Sequence, residues 1–169
     1  SDTMSYSASA LSFMLENLTK PVIFTGSQLP IGDLRTDAKE NLITSIEIAA
    51  LRKKGKPVLQ EVGLYFEYKL YRGNRTTKIN AEHFEAFNSL NYPPLVESGV
   101  HLKVHDNYLI KKVTKNKSLQ VHKKMDDRVA ILKLFPGINQ NVLQSVLNIP
   151  DLKALILETY GAGNAPMDE

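Results

Sequence analysis

The chain has 169 residues, of which 43% are hydrophobic and 23% charged, and it contains no cysteine. This composition predicts a soluble domain with a core of its own, compatible with a reducing compartment, and excludes disulfides, thiol nucleophiles and cysteine-based metal sites. The formal net charge of +3 is too small and too scattered to indicate a nucleic-acid-binding surface. Since no apolar run is long enough for a membrane span, we expect neither a nucleic-acid nor a membrane partner.

The first half of the chain alternates between helical and strand patterns. Helices are indicated where apolar residues recur at spacings of three and four, and strands where β-branched and aromatic residues alternate or run together. Alternation of this kind favours an α/β fold with a doubly wound, mostly parallel sheet. In chain order the patterns predict a helix over residues 4–18, a strand over 21–24, a helix over 38–54 and a strand over 62–71.

The second half is less regular. Residues 81–87 form at most a helical turn, and residues 89–99, with two consecutive prolines, indicate a connecting loop. Residues 102–113 and 119–122 flank a polar turn and predict a polar β-hairpin. After the hairpin, the patterns predict a buried strand over 129–132, a helix over 139–147 and a buried strand over 154–157.

Clusters of polar residues mark a candidate crevice. In an open α/β sheet, ligands bind beyond the carboxyl ends of the strands, and most of these clusters directly follow predicted strands. In the third cluster two hydroxyls precede Lys78, and a lysine placed there can act as a base or relay a proton. Together the clusters suit hydrolysis or group transfer through a Thr or Ser nucleophile. They are residues 1–3, 25–28, 75–78 and 161–164.

Structural roles remain open for the charged residues of these clusters. Asp2 or Thr3 can cap the first helix, because a side-chain oxygen can accept from the unpaired amides of the first turn. Lys78 can equally be a solvated charge in a loop. The glycines of residues 161–164 form an incomplete dinucleotide-binding fingerprint, and the four histidines lack metal-ligand spacing. The residues therefore call for neither a nucleotide cofactor nor a metal.

Four segments closely resemble one family, the bacterial L-asparaginases of the cytoplasmic type I. The resemblance runs along the whole chain and implies a two-domain asparaginase-like fold. Residues 1–164 then match part of the N-terminal α/β domain and residues 165–169 match the start of the inter-domain linker. The chain is expected to be a fragment that covers about half of a family member. The four segments are residues 2–23, with DTM at 2–4, the helix after it and KPVI at 20–23, then TGSQ at 25–28, LYRGNRTTK at 70–78 and YGAGNAP at 160–166.

The resemblance also implies roles for five residues. The family has a Thr-Lys-Asp catalytic triad; Asp2 matches the Asp, Lys78 matches the Lys, and Ser1 stands at the position of the Thr. The Asp of the family also pairs with the substrate's α-amino group, and Ser27 matches a position whose backbone faces the scissile amide. Thr77 matches a threonine that contributes to a separate allosteric asparagine pocket in type I enzymes.

These matches predict Ser1, Asp2 and Lys78 as catalytic, Asp2 and Ser27 as substrate-binding, and Thr77 as allosteric. The implied activity is hydrolysis of L-asparagine to L-aspartate and ammonia by an amidohydrolase with a Thr nucleophile and no metal or organic cofactor. The Thr-Gly-Gly-Thr motif that carries this nucleophile in the family is absent from the 169 residues. We therefore expect the isolated chain to be inactive, and the complete protein to be a cytoplasmic homodimer or homotetramer with allosteric control.

Two other functions remain open on the sequence alone. The same motifs occur in subunits that release ammonia for a tRNA-dependent amidotransferase, and such a subunit would carry an RNA-facing domain outside this chain. A non-catalytic asparagine-binding effector domain is also compatible with the sequence, because a fold does not determine a function.

Overall fold

The structure is a computed structural model that describes residues 2–110 and 117–166. The chain divides into two compact units, Ser1–Lys123 and Lys124–Glu169. The domain limits expected from the sequence, 1–164 and 165–169, stay a prediction.

The described residues contain three α-helices and a larger number of short strands. None of these helices has the length and apolar character that crossing a membrane requires. The helices are α1 (Met4–Met14), α2 (Ala38–Ala50) and α3 (Gln140–Leu147), and two 3-10 turns cover Gly73–Arg75 and Asp106–Tyr108. The strands are β1 (Leu15–Glu16), β2 (Val22–Phe24), β3 (Arg52–Lys53), β4 (Lys56–Pro57), β5 (Val62–Phe66), β6 (Lys69–Arg72), β7 (Thr77–Lys78), β8 (Phe87–Asn88), β9 (Val96–Ser98), β10 (Leu102–Val104), β11 (Gln120–Val121), β12 (Val129–Lys133) and β13 (Ala154–Glu158).

The three predicted helices are present, and their starts agree with the sequence. α2 begins at the expected residue, Ala38, and α3 follows Asn139, whose side chain caps the helix by accepting from the Val142 amide. α1 ends at Met14, earlier than expected, because the next two residues leave the helix and pair with β11. α2 ends at Ala50 because the residues after it form the hairpin of β3 and β4.

The main sheet has five strands in the order β10-β9-β6-β5-β2. β2 and β5 are parallel, whereas β5 with β6, β6 with β9, and β9 with β10 are antiparallel. The smaller unit contains one further parallel pair, β12 with β13. The α/β class is therefore confirmed, but the five-stranded sheet is mixed and not mostly parallel.

The single strand predicted over residues 62–71 is in fact a hairpin. β5 ends at Phe66, and the chain turns at Glu67 and Tyr68, whose φ angles are 43° and 66°. Positive φ at both central residues matches the right-handed twist of the flanking strands, but Gly or Asn usually occupies these positions. The turn was missed because Glu and Tyr carry no turn signal, and it makes β6 antiparallel to β5.

The predicted polar hairpin of residues 102–113 with 119–122 is also wrong. β10 pairs with β9, which lies inside the predicted loop over 89–99, and β11 pairs with β1. Val96 of β9 is completely buried, so its packing in the core outweighs the loop signal of the preceding prolines. Residues 111–116 of the predicted hairpin lie outside the described residues.

β5 connects the two hydrophobic clusters of the larger unit, and all five of its residues are buried. Val62, Leu64 and Phe66 pack in one cluster with Met4 and Ala8 of α1. The side chain of the intervening Tyr65 belongs to the second cluster, which includes residues of α2 and β6. Because side chains alternate along a strand, α1 and α2 lie on opposite faces of β5.

The strands of the smaller unit were expected to be buried, and that expectation is wrong for the described chain. Ile131 of β12 is 64% exposed and Ile156 of β13 is 52% exposed, whereas Leu132 is buried. A two-stranded sheet with one helix cannot cover both of its faces, which explains the exposed apolar side chains.

Candidate active site

An ion pair between Asp2 and Lys78 joins two of the clusters predicted from the sequence. Lys78 Nζ lies 2.5 Å from Asp2 Oδ1. The Lys78 side chain is 18% exposed, whereas the Asp2 side chain is 88% exposed. The ammonium group therefore projects from a largely packed stem toward a carboxylate that is open to solvent.

Asp2 lies at the start of α1 without capping it. Thr3 occupies the N-cap position, with no side-chain cap hydrogen bond, and the Asp2 carboxylate accepts from Lys78 instead. The interpretation of Asp2 as the helix cap is therefore wrong. Its position just before the positive end of the helix dipole still favours the ionised carboxylate.

Lys78 reaches this position by a route that the sequence pattern did not indicate. β6 runs antiparallel to β5, so Arg72 pairs with Gly63 at the edge opposite the carboxyl ends of β2 and β5. The chain then passes α1 at Gly73, where a Cβ would lie 3.1 Å from the Ala8 carbonyl oxygen. The expectation that Lys78 lies at the carboxyl end of the strand before it is wrong. That strand, β6, ends at the opposite edge of the sheet, and the Gly73–Arg75 turn then leads the chain back toward the start of α1, where Lys78 lies.

A short pair of strands then holds Lys78. Lys78 pairs with Phe87 in the antiparallel ladder of β7 and β8. The Ile79 amide donates to the Ala86 carbonyl at 2.8 Å, and Phe87 contacts Phe66 of β5 with ring centroids 5.1 Å apart. The backbone that carries Lys78 is therefore attached directly to the core of the sheet.

The segment 25–28 lies near the same end of α1. It follows β2, and a Cβ on Gly26 would lie 3.7 Å from the sulfur of Met4, two residues after Asp2. Its backbone is held by Asn41, whose side-chain amide donates to the Gly26 carbonyl at 2.9 Å, and by Asp37, whose carboxylate accepts from the Gln28 amide at 3.0 Å. The polar cluster expected beyond the carboxyl end of β2 is thus held against the start of α1.

A pocket of about 390 Å³ opens at the ion pair. One lining residue, Ala81, is tied to segment 25–28, because the Gln28 side-chain amide donates to the carbonyls of Ala81 and His83 at 3.3 and 2.7 Å. Ser5 and Tyr6 follow Asp2 by three and four residues, a helical spacing that could have identified them from the sequence. The lining residues are Asp2, Ser5, Tyr6, Thr77, Lys78, Ile79, Asn80 and Ala81.

The candidate residues differ in how the structure places them. Asp2, Thr77 and Lys78 line the pocket together, so Thr77 lies beside the ion pair. Ser27 is not among the described residues that line this pocket, although a Cβ on the neighbouring Gly26 would lie 3.7 Å from the Met4 sulfur. Ser1 lies outside the described residues. The roles of all five residues stay predictions.

Histidines pair with carboxylates elsewhere in the larger unit. His105 Nε2 lies 2.6 Å from Glu97 Oε1, and His122 Nε2 lies 3.0 Å from Glu16 Oε2. In residues 2–110 and 117–166, no group of three or more His, Asp or Glu side chains is arranged to hold a metal ion. The side chains that line the pocket itself supply a carboxylate, an amine, hydroxyls and the Asn80 amide.

Lys78 lowers the pKa of Asp2 below its ordinary value of 3.8, first through the hydrogen bond and then through its charge. We expect the Asp2 carboxylate to stay ionised below pH 3.8. Because the folded-state pKa is lowered, the contribution of the pair to stability is present above pH 3.8 and is lost as the pH falls through the lowered value. Carbon-13 NMR of protein labelled at aspartate carboxyls, with the resonance assigned by Asp2→Asn, measures this pKa. In Lys78→Met it should rise to the ordinary value, and an unchanged pKa would contradict the pairing.

Comparison with known proteins identifies the family. A family model described as asparaginase, N-terminal, matches residues 1–109. The chain is 46% identical to L-asparaginase 1 of Escherichia coli K12 over 99% of its length, and 45% identical to the 60 kDa lysophospholipase of Mus musculus over 98%. The crystal structure of L-asparaginase I from Vibrio cholerae has a TM-score of 0.86 at 41% identity, covering 99% of this chain and 49% of that one.

The chain spans only part of these relatives, 47% of the E. coli protein and 28% of the mouse protein. The family model nevertheless covers well over half of the chain, and the structural match extends over nearly all of it. The segments that carry the ion pair, the Thr25-Gly26-Ser27-Gln28 loop and the Gly73–Arg75 turn all lie within the matched range. The resemblance seen in the sequence is thereby confirmed, and the chain belongs to the asparaginase family.

Proposed function

We propose that the complete protein, at the length of its asparaginase relatives, hydrolyses L-asparagine to L-aspartate and ammonia. The observation that carries the proposal is the contact of Lys78 with Asp2 in an open pocket, because these residues match the Lys and Asp of the family's catalytic triad. The carboxylate and the amine come from positions 76 residues apart.

The chemistry assigned to this pocket divides into anchoring and proton transfer. The exposed Asp2 carboxylate suits the α-ammonium group of asparagine, since opposite charges within a few ångströms favour each other's charged forms. A threonine supplied outside these 169 residues attacks the side-chain amide carbon, and its hydroxyl proton passes through the relay to Lys78, which accepts it as the neutral amine. The protonated Lys78 then returns a proton to the departing amide nitrogen. The C–N bond breaks with release of ammonia, and water then hydrolyses the acyl-enzyme ester to aspartate.

We extend the proposal to the remaining candidate residues. The Ser27 backbone faces the scissile amide, Ser1 stands in the triad position of the Thr, and Thr77 contributes to an allosteric asparagine site. The tethering of segment 25–28 by Asn41 and Asp37 supports a fixed backbone at Ser27. We also propose that the complete protein is a cytoplasmic homodimer or homotetramer that needs no cofactor; light scattering measures the assembly.

Ammonia release from L-asparagine by the purified complete protein tests the activity, with L-glutamine as the control substrate. We expect turnover of asparagine by the complete protein and none by residues 1–169 alone, because the nucleophile motif is absent from them. If calorimetry detects asparagine binding but no ammonia is released, the protein is an effector-binding domain and not a hydrolase. Ammonia release only in the presence of a tRNA-dependent partner would indicate an amidotransferase subunit, and release by residues 1–169 alone would require another nucleophile.

A further inference from the structure

Gly73 is buried at the closest approach between α1 and the turn that leads to Lys78. A Cβ at this position would lie 3.0 Å from the Val62 carbonyl oxygen, 3.1 Å from the Ala8 carbonyl oxygen and 3.1 Å from Val62 Cγ1. Two of these three atoms belong to the backbone, so they cannot move away by a change of rotamer. A side chain at residue 73 therefore requires α1 at Ala8 and β5 at Val62 to move away from the turn by a few tenths of an ångström.

The same crossing connects the two members of the ion pair. Ala8 lies one helical turn after Met4, at the end of α1 that carries Asp2, and Gly73 lies five residues before Lys78. The Thr76 hydroxyl donates to the Arg72 carbonyl at 2.7 Å and keeps the intervening turn compact. From the crossing, α1 thus leads back to Asp2 on one side, and the Gly73–Arg75 turn leads on to Lys78 on the other.

We propose that Gly73 is a positioning residue that sets the separation of Asp2 and Lys78. The catalytic part of this inference rests on the proposed hydrolysis, whereas the geometric part does not. A shift of α1 by a few tenths of an ångström or more, imposed by a side chain at residue 73, moves the Asp2 carboxylate relative to the Lys78 ammonium. Catalysis that depends on both groups then loses its alignment.

Gly63 provides a control, because it is also crowded but on the other face of β5. A Cβ there would lie 2.8 Å from Leu70 Cδ1 and 3.3 Å from the Tyr71 carbonyl oxygen. Leu70 belongs to the cluster on the α2 side of the sheet, away from α1. We expect Gly63→Ala to strain the core on the Leu70 side and to leave the contact of α1 with the Gly73–Arg75 turn in place.

The first measurement is the NMR titration of the Asp2 carboxyl in the complete protein. We expect Gly73→Ala to bring the pKa of Asp2 back toward its ordinary value of 3.8, because the Lys78 charge and hydrogen bond move away. Gly63→Ala should leave that pKa lowered, although both variants unfold at lower temperature. This readout needs no turnover, so it decides the geometric claim even if the proposed hydrolysis fails.

The second measurement is a double-mutant cycle on ammonia release. Gly73→Ala alone should lower kcat on the order of 100-fold, and Gly63→Ala should leave kcat close to its starting value. In a Lys78→Met background, Gly73→Ala should lower kcat only slightly further, because the ion pair through which it acts is already absent. If Gly73→Ala does not fold, Val62→Ile overpacks the same crossing more gently, since Val62 Cγ1 is one of the crowding atoms.

Three results would overturn the inference. One is an Asp2 pKa that stays lowered in folded Gly73→Ala or, if that variant does not fold, in Val62→Ile. Another is a loss of kcat no larger in Gly73→Ala than in Gly63→Ala. The third is a double variant in which the fold-losses of kcat from Gly73→Ala and Lys78→Met multiply. Multiplying losses would show that the glycine acts independently of the ion pair.

Discussion

Replacing Lys78 by methionine is expected to lower kcat for ammonia release by the complete protein about 1,000-fold. The substitution removes the amine that contacts Asp2 Oδ1 and leaves an unbranched apolar stem of similar length. Because the Lys78 side chain is only 18% exposed, most of its stem packs within the protein, and methionine can retain that packing. The unfolding temperature should therefore change little while turnover collapses. Steady-state kinetics and a thermal unfolding curve measure the two effects.

Lys53 supplies the matched control for this substitution. Its Nζ lies 2.8 Å from Asp106 Oδ2, so it also pairs with a carboxylate, but its side chain is 63% exposed and lies outside the pocket lining. An exposed pair of this kind contributes about 0 to 1 kcal/mol to stability. Lys53→Met should leave kcat unchanged. Near-normal turnover of Lys78→Met would remove Lys78 from the reaction.

Replacing Asp2 by asparagine is expected to lower kcat/KM for L-asparagine on the order of 100-fold to 1,000-fold. The amide has nearly the size of the carboxylate but carries no charge to balance the α-ammonium group of the substrate or Lys78. Since the Asp2 side chain is 88% exposed, its replacement should hardly affect the unfolding temperature. Asp33→Asn, on an exposed loop residue, is the control and should leave the kinetics unchanged.

A substrate without the α-amino group separates the two roles of Asp2. Succinamic acid keeps the amide and the α-carboxylate side of asparagine but lacks the ammonium group. The loss caused by Asp2→Asn should be much smaller with succinamic acid, because there is no ammonium group left to anchor. Equal losses of kcat/KM with both substrates would show that Asp2 acts only through Lys78. An unchanged kcat/KM with both substrates would exclude Asp2 from the site.

Local sequence patterns were sufficient for the elements whose contacts are themselves local. The apolar spacing of α2 and α3, with the Asn139 cap, depends on neighbours three and four residues away, so the pattern identifies these helices. β2, β12 and β13 were likewise found as short apolar runs. The polar cluster of residues 25–28 was placed beyond β2 for the same reason. The family motifs identified Asp2 and Lys78 as residues of one site, and they assigned Thr77 to a separate pocket.

Long-range packing decided the strand pairings, which those patterns did not contain. Leu15 pairs with Val121 across more than 100 residues, and β9 forms inside an apparent loop because Val96 is buried in the core. The turn at Glu67 and Tyr68 adopts positive φ although neither residue favours it. In each case the stabilising free energy comes from contacts with residues that are distant in the chain. A pattern read over a few neighbouring residues does not include those contacts.

The sequence by itself determined the family and the chemical groups of the candidate site, because motifs preserve residue identity and order. The family motifs assigned Asp2 and Lys78 to one triad. Only the tertiary structure decided that the two form a direct ion pair, that Thr77 lines the same pocket, and that Ser5, Tyr6 and Asn80 line it with them. The distance between the charged groups depends on how closely α1 crosses the chain at Gly73. That separation is set by steric contact between backbones, a property of the packed chain that no spacing of residues along the sequence specifies.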